Sequence, residues 1–295
     1  MSFLLAHLSD VHIGPLPRPS LRELAGKRLT GYLNWTRGRH RVHDMDVLAR
    51  LVADIHTQRP DHIAMTGDIL NIGLAAEFPL ARAWLETLGP ARDVSFVPGN
   101  HDAYVRGSMS HLADTFRPWT GDDSTAPSIF PYLRIRGEVA LIGLSSGLPT
   151  APLLASGRLG QAQCEALGNL LHETNQRGLV RIIMIHHPPN RIGASFGRGL
   201  TDAAAFEAIV ARHGAELVIH GHNHRASIAH IAGPQRSVAV VGVASGSAVP
   251  GTGNHRAAYH LFKIDRTANG VSITGKARGT APGTRTIADL GPLAL

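Results

Sequence analysis

The sequence predicts an α/β fold, a four-layer αββα sandwich of two mixed sheets flanked by helices. Two observations lead to this prediction. In the first half of the chain, short apolar runs alternate with segments of helical periodicity, and in the second half strand-like runs predominate. Two sheets packed face to face, with helices on the outer faces, accommodate both halves.

The individual elements follow from periodicity and from the residues that bound each segment. Ten short segments that run or alternate apolar are predicted to be strands: 3–8, 62–66, 94–97, 130–136, 139–145, 180–185, 216–219, 238–244, 259–265 and 271–275. Four segments repeat apolar residues at helical spacing and are predicted to be helices: 46–58, 78–88, 161–175 and 202–213. The first helix ends before Pro60, and we expect Thr201 to cap the last one.

Five polar clusters follow five of these apolar runs, and their order along the chain is Asp10 to His12, Gly67-Asp68, Gly99 to Asp102, His186, and Gly221 to His224. In open α/β sheets the loops beyond the carboxyl ends of the strands converge on one crevice. We therefore expect seven candidate ligands to meet in one place: Asp10, His12, Asp68, Asn100, His186, His222 and His224.

The chemistry of these ligands indicates which metals they suit. Imidazoles, carboxylates and an amide oxygen suit Mn, Fe or Zn, whereas a structural zinc site would use cysteines. Seven ligands are too many for one ion, but they suit two ions that share a carboxylate at the ~3.5–4 Å separation of two-metal hydrolytic sites. The sequence thus predicts two divalent metal ions bridged by Asp68.

Each cluster taken alone also has a structural interpretation. The first and third would cap turns, Gly67-Asp68 is a common turn dipeptide, His186 would be a buried or loop histidine, and the last cluster would be an exposed loop. Five clusters in this order favour the metal centre. The remaining histidines have other expected places. We expect His7, His187 and His220 to pack beside the site, and we expect His40 and His43 to lie in a basic loop.

Length and composition favour one domain. A chain of 295 residues with 43% hydrophobic residues can bury a large core. We expect a single domain over residues 1–278, with a basic insert at 18–43, followed by a loosely structured C-terminal tail over 279–295. The stretch 191–199 is expected at the rim of the site or as a flexible loop.

The sequence also bears on the compartment. No segment reaches the ~18 consecutive apolar residues of a membrane span, and the N-terminal run is too short for a secretory signal. Cys164 is the single cysteine, which excludes an internal disulfide and fits a reducing compartment. We therefore expect the mature chain to begin at Met1 and to be cytoplasmic.

The basic insert holds most of the net charge of +7. Residues 18–43 contain seven Arg or Lys residues and one Glu, so that 7 minus 1 gives +6. Leu21, Leu24, Arg28 and Tyr32 are spaced as helix neighbours. The insert follows the first cluster, so we expect it to border the metal site. It would be a solvated face, a region that attracts a phosphate-rich substrate, or a peripheral contact with an anionic membrane, while nucleic acid is disfavoured because no stacking platform accompanies the charge.

Taken together, the clusters resemble the calcineurin-like metallophosphoesterases over residues 10–224, and most closely the short class III branch of cyclic-nucleotide phosphodiesterase-like enzymes. Gly67-Asp68 continues as Ile69-Leu70-Asn71 rather than as the Gly-Asp-x-Val-Asp-Arg-Gly pattern of Ser/Thr protein phosphatases, which disfavours that branch. The resemblance implies two metals, one held by Asp10, His12, Asp68 and His224, and the other held by Asp68, Asn100, His186 and His222.

The resemblance also implies an activity. The protein would be a metal-dependent phosphodiesterase that cleaves a P–O bond by attack of a metal-bridging hydroxide. His101 would contact the phosphate as the catalytic residue and would stabilise developing charge or protonate the leaving oxygen. Asp102 either orients a neighbour or is an ordinary turn cap.

Alternatives to a small phosphodiester substrate stay open. The basic insert favours a lipid-linked phosphodiester or pyrophosphate, hydrolysed at the membrane surface, as the main alternative. A DNA nuclease and a non-catalytic metal-binding scaffold are less favoured, the latter because every ligand position is retained.

Overall fold

The structure, a computed structural model, describes residues 2–121, 130–190, 195–250, 256–267 and 270–295. The strands in these residues are β1 (Ser2–Leu8), β2 (His62–Met65), β3 (Val94–Phe96), β4 (Tyr132–Arg136), β5 (Val139–Gly143), β6 (Val180–Met184), β7 (Leu217–His220), β8 (Ser227–Ile231), β9 (Val238–Gly242), β10 (Ala258–Thr267), β11 (Gly270–Thr280) and β12 (Ile287–Leu293). The α-helices are α1 (Lys27–Arg37), α2 (Met45–Gln58), α3 (Glu77–Thr87), α4 (Ser108–Phe116), α5 (Gln161–Gln176) and α6 (Ala203–His213).

The first sheet has the strand order β12-β11-β10-β1-β2-β3. Its strands β1, β2 and β3 are parallel, with Leu5 opposite His62 and Ile63 opposite Val94, whereas β10 pairs antiparallel with both β1 and β11. Parallel neighbours carry their carboxyl ends at the same edge of a sheet. The chain segments that follow β1, β2 and β3 therefore leave this sheet side by side.

The second sheet has the strand order β4-β5-β6-β7-β9-β8. Its four inner strands, β5, β6, β7 and β9, are parallel, and the two edge strands β4 and β8 are antiparallel to their neighbours. An isolated parallel bridge between Ser9 and Ser245 joins the two sheets just beyond β1 and β9. The carboxyl ends of the parallel strands of both sheets thus lie at one common edge of the molecule.

The core has three layers of apolar contacts that match a four-layer sandwich. Between the sheets, Leu5 and Val97 of the first pack with Ile182 and Val241 of the second. Helices α2, α3 and α4 cover the outer face of the first sheet, and α5 and α6 cover that of the second. The predicted αββα sandwich of two mixed sheets is confirmed.

The predicted strands and helices are all present, although several differ in length. The predicted cap at Thr201 is wrong: its hydroxyl donates to the carbonyl of Gly157 instead, and Asp202 occupies the N-cap position of α6. Asp202 does not cap the helix with its side chain, because its carboxylate accepts the N–H groups of Leu159 and Gly160. A contact with another segment has here taken the place of the local cap.

The loosely structured tail predicted over 279–295 is contradicted by β12, which pairs antiparallel with β11 from Ile287 opposite Thr280 to Leu293 opposite Gly275. Gly291 and Pro292 weaken the strand signal in the sequence. A proline is nevertheless tolerated in an edge strand, because its missing N–H costs no ladder hydrogen bond on the outer side. The tail therefore completes the first sheet.

The basic insert contains α1, but the helical spacing predicted from Leu21 onward is wrong at its start. The helix begins only at Lys27, because Gly26 has a non-helical backbone with a positive φ of 74°. A single 3-10 turn, Arg39–Arg41, follows α1 and leads into α2. Asp44 caps α2 by accepting the N–H groups of Asp46 and Val47.

Three further expectations concern particular segments. Cys164 is buried on α5 as a free thiol. Of the stretch 191–199, the first four residues lie outside the described residues. In the part of the chain that the structure describes, no helix is both long and apolar enough to cross a membrane.

Candidate metal centre

The seven candidate ligands lie at the common edge where the parallel strands end. Asp10 and His12 follow β1, Asp68 follows β2, and Asn100 follows β3. His186 follows β6 in the second sheet, and His222 and His224 follow β7. Six of the seven are buried, and His224 is partly exposed. The convergence predicted from the sequence is therefore observed.

One group of four side chains surrounds a common point. Asp10, His12, Asp68 and His224 each offer an atom within 4.8 Å of the others. His224 Nε2 lies 3.2 Å from Asp10 Oδ1 and 3.4 Å from His12 Nε2, which in turn lies 3.9 Å from Asp68 Oδ2. Such spacings are those of atoms on the coordination shell of one ion at about 2.0–2.2 Å.

A second group lies on the other side of Asp68. His186 Nε2 is 3.4 Å from Asp68 Oδ2 and 3.3 Å from His222 Nδ1. His222 Nδ1 is also 2.9 Å from Asn100 Oδ1. The same carboxylate oxygen, Asp68 Oδ2, therefore faces an imidazole of each group.

Hydrogen bonds to backbone carbonyls orient two of the candidate ligand imidazoles. The Nδ1 atoms of His12 and His186 face the carbonyls of Leu70 at 2.9 Å and Thr66 at 2.7 Å. A carbonyl only accepts, so each Nδ1 carries a proton, and each ring turns its Nε2 toward the site. Asp10 Oδ1 is buried and accepts no hydrogen bond from the described residues. These donor atoms fit divalent metal ions.

The backbone at the site is also unusual. Seven non-glycine residues of the described chain have a left-handed φ, and five of them are candidate ligands: Asp10, His12, Asp68, His222 and His224. Such conformations cost of order 1 kcal/mol or more for each residue and concentrate at functional sites. At Gly99, an added Cβ would overlap the Asp68 carboxylate and the His186 ring, so only glycine permits this approach. The backbone conformation of these loops therefore follows the geometry of the site and not the ordinary conformational preferences of their residues.

The electrostatics link Asp68 with its imidazole neighbours. Burial raises the pKa of Asp68, but His186, His101 and His12 together hold that pKa well below its ordinary value. Burial lowers the pKa of His186, yet the adjacent Asp68 carboxylate raises it to about 9. An ionised carboxylate among imidazoles is an arrangement that exchanges protons for a cation when metal binds.

Asp102 orients its neighbours. Its Oδ2 accepts the N–H groups of Asp68 at 2.7 Å and Gly99 at 2.8 Å, and its Oδ1 accepts those of Ile69 and Leu70, both at 3.0 Å. One buried carboxylate thus ties the loop after β2 to the loop after β3. Of its two interpretations, the geometry favours the one in which it positions the loops that carry Asp68 and Asn100.

His101 lies beside the ligand groups and belongs to neither. Its ring is 4.9 Å from that of His12 and stacks on Tyr104 at 5.5 Å. Its Nδ1 contacts the carbonyl of Asn71, and its Nε2 points toward Arg39 Nη1 at 2.9 Å. His101 is therefore positioned to meet a molecule that enters the centre.

The structure brings residues to the site that sequence reasoning missed. Arg39, from the 3-10 turn of the basic insert, enters the site and contacts His12 and His101. His43, predicted to lie in a basic loop, has its ring 4.7 Å from that of His12 and stacks on Trp35. The only signal for either in the sequence is the position of the insert after the first cluster.

Other histidines behave more nearly as expected. His40 is exposed, and its Nδ1 contacts the carbonyl of Trp35. His187 lies next to His186 and His222 and could be counted as a third ligand there. However, its Nδ1 contacts Ser146 Oγ at 2.8 Å and its Nε2 contacts the carbonyl of Ala155 at 3.2 Å, so neither nitrogen is turned into the centre. We assign it to packing.

Comparison with known proteins agrees with this geometry. The family model described as calcineurin-like phosphoesterase matches residues 3–226. A probable cyclic nucleotide phosphodiesterase of Synechococcus sp. is 28% identical over 232 residues, which cover 77% of this chain and 76% of that protein. The glycerophosphodiester phosphodiesterase GpdQ of Enterobacter lignolyticus is 26% identical over 229 residues, 75% of this chain and 70% of that protein.

A solved structure shares the fold at low sequence identity. The dimetal phosphatase of Danio rerio superposes with a TM-score of 0.62 at 15% identity and covers 98% of both chains. The matched family spans most of the chain and includes every candidate ligand. The protein therefore belongs to the calcineurin-like phosphoesterases and is a metal-dependent phosphoester hydrolase.

Proposed function

We propose that the protein is a phosphodiesterase whose centre holds two divalent metal ions. The observation that supports this proposal best is the position of Asp68 Oδ2, 3.4 Å from His186 and 3.9 Å from His12, between two groups of ligand atoms. One carboxylate oxygen shared by two ligand groups is the arrangement of a dinuclear site. A single ion would leave one group without a function.

The proposed ligand sets follow the two groups. Asp10, His12, Asp68 and His224 hold one ion, and Asp68, Asn100, His186 and His222 hold the other. Mixed nitrogen and oxygen donors suit Mn, Fe or Zn. When bound, such ions lower the pKa of a coordinated water and neutralise phosphoryl oxygens, which supplies a nucleophile and charge stabilisation.

The remaining work belongs to side chains around the ligands. His101 is proposed to contact the phosphate and either to stabilise the developing charge or to protonate the leaving oxygen. Asp102 holds the loops that carry Asp68 and Asn100 at a fixed distance. A small phosphodiester is the proposed substrate, because both similar enzymes are named as phosphodiesterases.

A hydrolysis screen tests the proposal. The purified protein would be loaded with Mn, Zn or Fe and assayed against phosphomonoesters, cyclic nucleotides, glycerophosphodiesters and lipid pyrophosphates, with metal content measured in parallel. We expect two metal equivalents and faster hydrolysis of a diester than of the matched monoester. A single equivalent that supports full activity would refute the dinuclear centre, and a preference for monoesters would refute the phosphodiesterase assignment.

A specific surface favours a second candidate, hydrolysis of a lipid-linked phosphodiester or pyrophosphate at a membrane. Eleven large apolar residues are exposed among the described residues; four lie in the basic insert and three on loops next to it. The loops adjoin the insert because Lys27 Nζ donates to the carbonyl of Leu154, while Ala155 N donates to that of Gly197. We call this surface the apolar rim; its residues are Leu21, Leu29, Leu33, Val42, Leu153, Leu154 and Phe196.

Exposed apolar residues flanked by basic ones suit an anionic membrane surface. Arg37 and Arg41 are exposed beside the apolar rim, whereas Arg39 points into the site and cannot serve the same purpose. The test is sedimentation with vesicles that contain or lack phosphatidylglycerol, comparing wild type with Leu29→Ser/Leu33→Ser and with Arg37→Ser/Arg41→Ser. A double variant on α2 and α3, Arg50→Ser/Leu80→Ser, is the matched control.

Binding to anionic vesicles that both rim variants lose, and the control keeps, would support the lipid candidate. Added salt should act like the arginine variant, because surface attraction is screened within ~8–10 Å at ordinary ionic strength. Equal sedimentation of all four proteins would leave the rim without a membrane role.

A further inference from the structure

The guanidinium of Arg39 reaches the candidate metal centre from a segment that the ligand motifs do not include. Its Nη1 lies 2.9 Å from His101 Nε2, and its Nη2 lies 3.1 Å from His12 Nε2. Arg39 therefore contacts one candidate ligand and the candidate catalytic residue at once. Arg37 and Arg41, two positions away on either side, are exposed.

The backbone holds Arg39 in this orientation. Arg41 N donates to the carbonyl of Gly38 and Val42 N to that of Arg39, which closes the 3-10 turn. The chain beyond the turn is fixed to the loop after β9, because Asp44 N donates to the carbonyl of Ser247 and Val249 N to that of Val42. The side chain thus projects from a turn that is anchored on its C-terminal side.

The helix before the turn is anchored as well. Arg28 Nε donates to the carbonyl of Ile72 at 3.3 Å, and its Nη2 donates to that of Gly73. A Cβ on Gly31 would overlap the hydroxyl of Tyr104 and the side chain of Ile72, so α1 lies directly against these residues. Tyr104 in turn stacks on His101. The insert is docked over the site, and Arg39 needs little ordering when a ligand arrives.

The partners of Arg39 do not match its chemistry. A guanidinium has five N–H donors in a planar fork and is best paired with a carboxylate or a phosphate. Among the described residues no carboxylate oxygen lies within ion-pair distance of Arg39, and its side-chain hydrogen bonds there go to His12 and His101. Imidazoles are weak partners for a cation, and one of them, His12, is a proposed metal ligand.

Charge balance leads to the same point. In the proposed centre, the carboxylates of Asp10 and Asp68 would face two divalent cations and the Arg39 guanidinium. The two negative charges of the carboxylates do not balance the positive charges of the two cations and the guanidinium. Excess positive charge that is removed from water is costly unless an anion compensates it. The missing partner is an anion that both the guanidinium and the metals can contact.

We infer that Arg39, together with His101, forms an anion subsite that holds a non-bridging oxygen of the phosphate in the substrate and in the product. This inference rests on the proposed function and assigns the basic insert a role in it. Arg39 binds the phosphate with charge-assisted hydrogen bonds from its fork. The basic insert then supplies a substrate-binding residue, and this role does not depend on the exposed basic residues of the insert.

Inorganic phosphate is a suitable probe. We would load wild type, Arg39→Ala, Arg39→Lys and the control Arg22→Ala with manganese, measure metal content, and titrate phosphate by calorimetry. Arg22 is exposed on the same insert, so its variant removes the same charge without touching the site. We expect Arg39→Ala to keep its metal and to bind phosphate about 10- to 100-fold more weakly, as for a lost hydrogen bond to a charged group.

The lysine variant separates charge from geometry. Arg39→Lys should recover part of the phosphate affinity, because it keeps the charge and loses the fork. Steady-state kinetics with bis(4-nitrophenyl) phosphate should show a raised KM in Arg39→Ala. The inference is overturned if Arg39→Ala binds phosphate as tightly as wild type, or if Arg22→Ala loses as much affinity as Arg39→Ala.

The same data distinguish failure of the inference from failure of the proposed function. If wild type hydrolyses no phosphodiester, the proposed function fails, but the phosphate titration of Arg39→Ala still decides the role of Arg39. If the melting temperature of Arg39→Ala is far below that of wild type, the phosphate affinities of Arg39→Lys and Arg22→Ala decide the role of Arg39 instead. Unchanged phosphate affinity in Arg39→Lys would then overturn the role assigned to the fork.

Discussion

The backbone N–H of His101 donates to Asp68 Oδ1 at 2.7 Å, while the other oxygen of the same carboxylate lies 3.4 Å from His186 Nε2. Asp68 thus connects the proposed catalytic residue to both ligand groups. A change at Asp68 should disturb metal binding at both ligand groups, whereas a change in the His101 side chain leaves Asp68 in place, because the bond to Asp68 involves only the backbone of His101. The first two predictions rest on this asymmetry.

Asp68→Asn should lose bound metal and essentially all hydrolysis. The amide has the same shape and can still accept the His101 N–H through its oxygen, but it removes the negative charge shared by the two ligand groups. Metal content and hydrolysis rate are the measurements. Asp93→Asn, which changes an exposed carboxylate, should behave as wild type. Two bound metals with near-normal activity in Asp68→Asn would contradict the bridging assignment.

His101→Ala should keep its metal content and lower turnover by ~100-fold or more, the usual loss for a removed acid or charge stabiliser. The reason is that neither ring nitrogen of His101 points into a ligand group; they contact Asn71 and Arg39. Metal analysis and kcat are measured on the same preparation. A parallel fall in metal content would instead make His101 a ligand.

The meeting of the candidate ligands was predictable from sequence, because each lies in the loop that follows a buried strand. The apolar composition of a strand such as β6, with five buried residues, predicts the strand from sequence. The carboxyl end of β6 then determines where His186 lies. Parallel pairing then carries five loops to one edge. Local pattern and topology agree here, so the sequence alone predicts which candidate residues meet at this edge.

Arg39 and β12 could not be predicted in this way. Arg39 reaches the site through the docking of α1 on Tyr104 and Ile72, a tertiary contact that leaves no periodic signal. β12 contains Gly291 and Pro292 and is specified by its neighbour β11, not by its own alternation. Both depend on contacts between distant segments, which sequence spacing does not record.

Asp102→Asn should weaken metal binding by about 10- to 100-fold, the usual effect of losing a group that orients ligands. Its amide nitrogen cannot accept a hydrogen bond, so at least one of the four backbone N–H groups that the carboxylate accepts would lose its partner. Metal titration measures the affinity, and a thermal melt of the metal-free protein reports the accompanying loss of stability. Unchanged metal affinity with a lowered Tm would show that Asp102 stabilises the loops only.

Asp54→Asn should lower the free energy of unfolding at pH 7 by about 1.5–3 kcal/mol, as for a lost hydrogen bond to a charged group. Asp54 on α2 accepts from Arg278 Nε at 2.7 Å and Nη2 at 2.8 Å and also from Tyr259, which fastens the helix to β10 and β11. Burial raises the pKa of Asp54, but the bonds from Arg278 and Tyr259 hold it below its ordinary value.

The sign of the pH dependence follows from that depressed pKa. The stabilisation is complete above the unfolded pKa, near ~3.9, and is lost as the pH falls through the folded pKa. The free energies of unfolding of wild type and Asp54→Asn, measured by denaturant unfolding, should therefore differ fully at pH 7, and the difference should shrink as the pH falls below about 4 and through the folded pKa. Glu86→Gln, in an exposed pair with Arg82, serves as the control and should change little at either pH. A constant gap down to low pH would contradict the ion pair as the cause.

Gly31→Leu should reproduce the phosphate-binding defect of Arg39→Ala without altering Arg39 itself. A side chain at position 31 overlaps Tyr104 and Ile72, so α1 must move away and carry the turn with Arg39 out of the site. Gly107→Ala is the control, because a Cβ there meets nothing within 4 Å and its backbone is already helical, with φ of −67° and ψ of −13°. Phosphate titration of the manganese-loaded proteins should show weakened binding only in Gly31→Leu, with metal content unchanged. If Gly31→Leu binds phosphate like wild type, the docking of α1 does not position Arg39.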